Sequence, residues 1–250
     1  MSGWLVVVGM GPGAAAQQTP QAAEALAAAT DLVGYETYLA RVPDRAGQVR
    51  HVSDNREEIA RARHALTLAA NGRRVAVVSS GDAGVFAMAS AVFEAIEHGE
   101  AAWRGLDVTV VPGISAMFAA AARIGAPLGH DFCAISLSDN LKPWDTVTRR
   151  LTVAAEAGFV IALYNPQSRA RPWQLTAAFD LLRAILPPET AVVFATAVSR
   201  AGERIEFSTL AAADPARADM RTLVLIGTAA TRRIERPGGG AWLYTPRGAA

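Results

Sequence analysis

Short apolar runs that break off at glycine or proline recur along this chain, and amphipathic patterns fill the intervals between them. Trp4 to Val8 is a continuous β-branched run ended by Gly9, which reads as a strand buried on both faces. Val75–Ser79 and Asp107–Val111 repeat the pattern, and Asp31–Val33 is a shorter version of it. Between them, Thr19-Pro20 opens a helix to about Ala29, with Thr as N-cap and Pro at the first helical position. Asp54 with Glu57 three residues on has the form of a capping box. Ile59, Ala62, Leu66 and Ala69 then recur at helical spacing up to Gly72. Val85, Met88, Ala89, Val92 and Ile96 predict another helix, stopping at Gly99, and Ser115–Ile124 a further one. The second half alternates likewise. Strands are expected at Phe132–Leu137, Phe159–Tyr164, Ala191–Ala197 and Thr222–Gly227, and helices at Trp144–Ala157 and Pro172–Leu186. Ile205–Ser208 reads as a short hairpin partner. Such alternation predicts an α/β chain with a mainly parallel sheet in each half. The expected boundaries are 1–114 and 115–238, with a flexible tail over 239–250.

A chain of 250 residues and 26.2 kDa allows one large or two small domains. With 51% apolar and 19% charged residues it is neither disordered nor a coiled coil. Basic and acidic residues number 24 and 23, a balance without the footprint of a nucleic-acid or anionic-membrane partner. Lys142 is the sole lysine; every other basic residue is an arginine, which can clasp a carboxylate with two parallel hydrogen bonds. Cys133 is the sole cysteine, so no disulfide forms within the chain and a reducing cytoplasm is expected; it reads as a small thiol in a strand. His51, His64, His98 and His130 make no metal-spaced cluster with it, and no metal is expected. The amino-terminal run lacks a positive n-region, and no stretch reaches about 18 apolar residues, so neither a signal peptide nor a membrane span is expected.

The chemistry is expected in the loops. Gly9-Met10-Gly11-Pro12-Gly13-Ala14 formally matches the dinucleotide fingerprint G-x-G-x-x-A. That fingerprint opens directly into a helix, whereas here the helix signal waits until Thr19 and Pro12 removes an amide donor. A tight structural turn, or a loop that lets a bulky non-phosphate ligand approach the backbone, are the other readings. Ser79-Ser80-Gly81-Asp82-Ala83-Gly84-Val85-Phe86 also follows a strand; Asp82 there either accepts hydrogen bonds from a ligand or caps the next helix. Val111-Pro112-Gly113-Ile114-Ser115-Ala116 is a third such loop, with Ser115 a candidate N-cap, and Tyr164-Asn165-Pro166 a fourth. Four loops of this kind, drawn from both halves, suggest a cleft between two α/β lobes. P-loop, nucleophile-elbow and paired-histidine zinc motifs are absent from the sequence.

In this order the loops resemble the tetrapyrrole (corrin and porphyrin) methyltransferase family over about residues 3–235. The hallmarks are Gly9-Met10-Gly11-Pro12-Gly13, Ser80-Gly81-Asp82, Pro112-Gly113-Ile114-Ser115-Ala116, Tyr164-Asn165 and Thr222-Leu223-Val224-Leu225-Ile226-Gly227. Gly34-Tyr35-Glu36-Thr37-Tyr38, Ser79 to Gly84, Ser136-Leu137-Ser138-Asp139-Asn140-Leu141 and Leu163-Tyr164-Asn165-Pro166 are similar to the branch acting on C17 of precorrin-3B. The resemblance implies a tetrapyrrole methylase fold, two αβα lobes with a cofactor cleft between them, and a cytoplasmic homodimer without nucleic-acid or membrane partners. It implies S-adenosyl-methionine as methyl donor and S-adenosyl-homocysteine as product. By position the cofactor contacts fall on Pro12, Ser80, Gly81, Asp82, Val85, Phe86, Ser115, Ala116, Tyr164, Asn165, Ala197 and Thr222.

The implied reaction methylates C17 of precorrin-3B and contracts the ring to precorrin-4, in cobalamin biosynthesis. Alternatives are the cobalt-containing analogue, another precorrin position, or a tetrapyrrole carrier with a degenerate site. Methyl transfer from a sulfonium needs alignment and desolvation, which suits glycine loops. Ring contraction benefits from proton transfer, for which Asp82, His130, Ser138, Asp139 and Arg200 are the candidates on strand-end loops. Arg41, Arg45, Arg50, Arg56 and Arg200 are candidates for the substrate carboxylates.

Overall fold

The strand β1 (Trp4–Gly9) explains why a two-sided apolar run was needed. Its alternate residues enter two different cores, Leu5 and Val7 on one side and Val6 and Val8 on the other. A computed structural model describes residues 3–54, 57–168 and 170–248. After β1 come α1 (Pro20–Ala28), β2 (Asp31–Tyr35), the single turn α2 (Glu36–Leu39) and β3 (Val49–Ser53). Then follow α3 (Glu58–Ala70), β4 (Arg74–Ser79), α4 (Met88–His98) and β5 (Asp107–Val111). These strands form one sheet in the order β3-β2-β4-β1-β5, parallel throughout. Val75 and Val77 of β4 join Leu5 and Val7 in a core with Ala62, Leu66 and Val92 of α3 and α4. Ala76 and Val78 face the other way, to Leu26 of α1 and Leu39 of α2.

The remaining elements are α5 (Ala116–Ile124), β6 (Gly125–Ala126), β7 (Phe132–Ser136), α6 (Trp144–Glu156), β8 (Val160–Tyr164) and α7 (Gln174–Arg183). After them come β9 (Ala191–Thr196), β10 (Arg204–Thr209), β11 (Thr222–Ile226), β12 (Arg232–Glu235) and β13 (Ala241–Tyr244). The second sheet runs β10-β9-β11-β8-β7. Its main core joins Leu151 of α6 and Phe179 of α7 to Leu163, Phe194 and Val224 of the strands. By its internal contacts the chain divides into two units, residues 1–116 and 117–250.

Several expectations are corrected. The second sheet is not mainly parallel: only β7 and β8 run parallel, and β8-β11, β11-β9 and β9-β10 are antiparallel. The connection from β9 to β10 is too short for a crossover, and no α-helix lies between β10 and β11, so neither strand returns in parallel. The hairpin partner foreseen at Ile205–Ser208 is β10. α4 begins at Met88 rather than Val85, because Phe86 holds φ +52°, which a helix does not admit. The capping box at Asp54 and Glu57 does not form, since Glu57 itself is the N-cap and gives no side-chain cap bond. The tail is not uniformly frayed either: β13 pairs with β12 and β6, and Leu243 is buried.

Candidate functional site

In the first unit, three loops leave the carboxyl ends of adjacent strands β4, β1 and β5 and are tied together by backbone. Gly11 and Gly81 exchange hydrogen bonds in both directions, each N–H to the other's carbonyl at 3.0 Å. Both take positive φ, +73° and +64°, a conformation that glycine adopts without steric cost. A Cβ at Gly9 would stand 2.7 Å from the Gly113 nitrogen, and one at Gly113 would stand 2.2 Å from the Gly81 carbonyl oxygen. These two glycines therefore serve loop-to-loop packing. Gly81 differs: its absent Cβ points to a space whose nearest backbone atoms, on Ile114, Ser115 and Ala116, are 3.9 Å away. That opening is a cradle a side chain would fill, bordered by peptide groups.

Asp82 is neither a helix cap nor a free acceptor. Its Oδ1 accepts from the Gly84 amide at 2.8 Å and its Oδ2 from the Gly113 amide at 3.0 Å. The carboxylate thus latches the β4 loop to the β5 loop through two charge-assisted bonds. Arg41 braces the same group, donating to Ser80 Oγ at 3.2 Å and to the Gly11 carbonyl at 3.3 Å. The loop after β1 does not open into a helix, as the fingerprint requires; a short 3-10 turn over Ala15–Gln17 intervenes and α1 has its own cap in Thr19. Pro12 is buried, Val85 half-buried and Phe86 exposed in its left-handed conformation. Ser115 is buried directly before α5.

In the second unit, register places Ser136 of β7, Tyr164 of β8, Thr196 of β9 and Thr222 of β11 along one edge of the sheet. Tyr164 Oη accepts from the Met117 amide at 3.1 Å, which satisfies one open donor of the first turn of α5. Asn165 holds φ +51° and donates from Nδ2 to Ser136 Oγ at 2.9 Å. The Ser138 amide donates to the same oxygen, and Gln174, fully buried, donates to Asp139 Oδ1 at 3.2 Å. After β9, Ala197 and Ser199 both hold positive φ, +49° and +63°. Ser199 Oγ and Arg200 Nε are buried there without a hydrogen-bond partner among the described residues, as is Gln174 Oε1. Buried polar atoms left open on a strained strand-end loop are features of ligand sites. Burial pushes the Lys142 ammonium below its ordinary pKa, helped by Arg150 and opposed by Asp139. Burial likewise raises the Cys133 thiol, keeping it protonated and unreactive.

Other candidates stand elsewhere or are engaged. His130 precedes β7, at the opposite edge of the sheet from Ser138 and Asp139, and accepts from the Asp131 amide. Arg50 is committed to the Leu39 and Val42 carbonyls at 2.6 and 2.7 Å and to Asp44 at 2.6 Å, so it closes off α2. Thr222 Oγ1 is engaged with Thr196, the Asp219 amide and the Asp219 carboxylate, and the Thr222 amide donates to the Asp219 carbonyl at 3.0 Å. Arg45 is exposed, and Arg56 lies outside the described residues. Gln174 escaped the sequence reading because a polar residue at a helix start carries no mark of its burial. Arg41, a carboxylate-binding candidate by its residue type, instead holds two loops, and no sequence signal announces that hold. Among the described residues no three His, Cys, Asp or Glu side chains come together as a metal site, and no helix is long and apolar enough to cross a membrane.

The tetrapyrrole (corrin/porphyrin) methylase family model matches residues 4–214. A precorrin-3B C(17)-methyltransferase of Sinorhizobium sp is 60% identical, over 99% of this chain and 97% of its own. A probable cobalt-factor III C(17)-methyltransferase of Salmonella typhimurium is 42% identical, over 98% of each chain. The crystal structure of the methyltransferase CobJ superposes with a TM-score of 0.94 at 53% identity, covering 98% of this chain and all of that one. With its strand-end glycine loops and a family match over most of its length, the chain belongs to the tetrapyrrole methylases.

Proposed function

We propose that this chain transfers a methyl group from S-adenosyl-methionine to C17 of precorrin-3B and contracts the macrocycle to precorrin-4. The observation that carries the substrate assignment is the 60% identity, sustained along nearly the whole chain, to a precorrin-3B C(17)-methyltransferase. The donor, when bound, supplies an electrophilic methyl on a sulfonium, so the protein's main task is alignment and exclusion of water. Gly81 gives the donor access to backbone, while Asp82 and Arg41 hold the three loops in register around it. Pro12, Ser80, Val85, Phe86, Ser115 and Ala116 are the donor contacts of this reading in the first unit; Ser115 and Ala116 lie 3.9 Å from the place a Gly81 Cβ would take. Tyr164, Asn165, Ala197 and Thr222 are the contacts of this reading in the second.

Asp139 is the group for proton transfer in ring contraction, because its Oδ1 is fixed by Gln174 while its other oxygen has no hydrogen bond to the described residues. Ser138 lies beside it. Arg200 is the guanidinium for a substrate carboxylate, since its buried Nε has no partner within the described residues. The reading includes a cytoplasmic homodimer; a chain with one cysteine suits a reducing compartment. The similarity to the cobalt-factor III enzyme favours one second reading, the cobalt-containing substrate. Incubation with precorrin-3B and with its cobalt analogue, followed by mass and absorbance, separates the two. Turnover of the metal-free substrate alone supports the proposal, and turnover of the cobalt form alone refutes it.

A further inference from the structure

A line of three titratable groups crosses the first sheet where β2 and β3 meet α3. Asp31, 2% exposed, accepts hydrogen bonds from Thr30 Oγ1 at 2.6 Å, Arg73 Nε at 2.8 Å and His51 Nε2 at 2.9 Å. His51 Nδ1 lies 3.0 Å from His64 Nε2. The carboxylate holds the His51 proton on Nε2, so in the neutral pair His51 Nδ1 accepts and His64 Nε2 donates. The remaining nitrogen of His64, Nδ1, is then an acceptor at the outer end of the chain.

His51, His64, Ser53, Glu57 and Arg61 line a cavity of about 330 Å³ at this place. Arg61 is 4% exposed, and among the described residues its guanidinium donates to neutral groups only. These are Ser53 Oγ at 2.6 Å, Met88 Sδ at 3.3 Å and the Asp54 carbonyl. Among the described residues no carboxylate forms an ion pair with it, and the two neighbours outside them, Asn55 and Arg56, carry no acid. The acids that face it, Glu58, Glu57 and Asp54, act only through space, as does Tyr38; Arg73 is spent on Asp31. Burial outweighs these acids and pushes the Arg61 pKa down, and it pushes the His64 pKa down against the pull of Asp31. A buried charge without a partner is costly, and a bound anion removes that cost.

We propose that this cavity binds a small oxyanion, a carboxylate or a phosphate-type group, between Arg61 and a protonated His51–His64 pair. Proton uptake turns His64 Nδ1 from acceptor into donor, and the buried Asp31 carboxylate stabilises the resulting cation. The pair holds one proton only, because two imidazolium rings in hydrogen-bond contact repel each other. Anion and proton therefore bind together, and above the titration of His64 the affinity falls about tenfold per pH unit.

The test is a titration of the full chain, with labelled histidine imidazoles followed by NMR, against sodium formate and sodium sulfate separately. Both anions keep their charge between about pH 5.5 and 8, the range that brackets histidine titration. Sodium chloride at equal ionic strength is the control. The expected result is a saturable shift of the His51 and His64 signals near pH 5.5, at least about tenfold weaker near pH 8 and absent with chloride. Saturation by formate alone identifies a carboxylate site, by sulfate alone a phosphate-type site, and by both a general oxyanion site. R61Q should abolish binding. H64Q, at an exposed position that is safe for folding, should remove the pH dependence. No saturable shift near pH 5.5, equal affinity at both pH values, or an unaltered pH dependence in H64Q overturns the proposal.

Discussion

Gly81 and Gly113 sit in neighbouring loops, yet a methyl group added at each meets a different obstacle. At Gly113 it would lie 2.2 Å from the Gly81 carbonyl oxygen and 2.6 Å from that of Gly9, both backbone atoms that have no room to move. Gly113→Ala should therefore cost about 3 kcal/mol or more in stability, at the upper end for an overpacked site. At Gly81 the nearest atoms are 3.9 Å away, so the fold pays only for holding φ +64° with a side chain. That strain is about 1–2 kcal/mol for a non-glycine residue. In a chain of this size it lowers the melting temperature by about 2–8 °C. Gly81→Leu should melt in the same range, while its branch occupies the space assigned to the donor. The expected loss of S-adenosyl-homocysteine affinity is at least 100-fold, or about 2.7 kcal/mol. Calorimetry with S-adenosyl-homocysteine, beside thermal unfolding of each variant, reads both effects. A folded Gly81→Leu protein that binds the ligand as tightly as the parent would refute the assignment of this loop.

Asp82→Asn puts an amide N–H against the Gly84 or Gly113 amide, and should lower stability by about 1.5–3 kcal/mol and slow both steps together; denaturant midpoints and single-turnover rates check this. Cys133→Ala should leave activity within about threefold, since a protonated strand thiol behaves as a small hydrophobe; a larger loss with the fold intact means a nucleophile was overlooked. For His64 the folded pKa lies below the unfolded value of about 6.5, so the unfolded chain takes up the proton more readily and stability falls as pH drops below that value. For Asp31 burial acts to raise the pKa, but the bonds from Thr30, Arg73 and His51 outweigh it. Its contribution is present above about pH 4 and lost as pH falls through the depressed folded value. Denaturation midpoints from pH 8 to pH 3 in chloride should show both declines, and D31N should erase the second. Asp139→Asn should accumulate a methylated, uncontracted tetrapyrrole, as loss of acid–base help slows a step about 10²–10⁴-fold. His130→Ala should spare both steps, and product mass after one turnover distinguishes the outcomes.

The strands buried on both faces were legible because their apolar runs are unbroken: β1 and β4 lie where Trp4–Val8 and Val75–Ser79 foretold. The edge strand β3 was not, since Val49, Arg50, His51, Val52 and Ser53 mix polar and apolar side chains on an exposed strand. Strand direction is not written in an apolar run; it follows from connection length, which is why the antiparallel half of the second sheet escaped. In β13, Ala241 and Leu243 are buried while Trp242 is exposed, a strand pattern overshadowed by the three preceding glycines. The loops around the candidate site were legible one at a time. What joins them was not: the reciprocal Gly11–Gly81 pair and the Asp82–Gly113 bond link residues 70 and 31 positions apart. His51 and His64, dismissed as metal ligands by spacing, are brought into contact by β3 and α3.

The most direct measurement of the central claim uses precorrin-3B and S-adenosyl-methionine carrying a ¹³C-labelled methyl group. The product is read by carbon NMR and mass spectrometry after a single turnover. The account predicts one labelled methyl on C17 and a contracted macrocycle with the mass of precorrin-4. A label on any other carbon, or no transfer to the metal-free substrate, would contradict it.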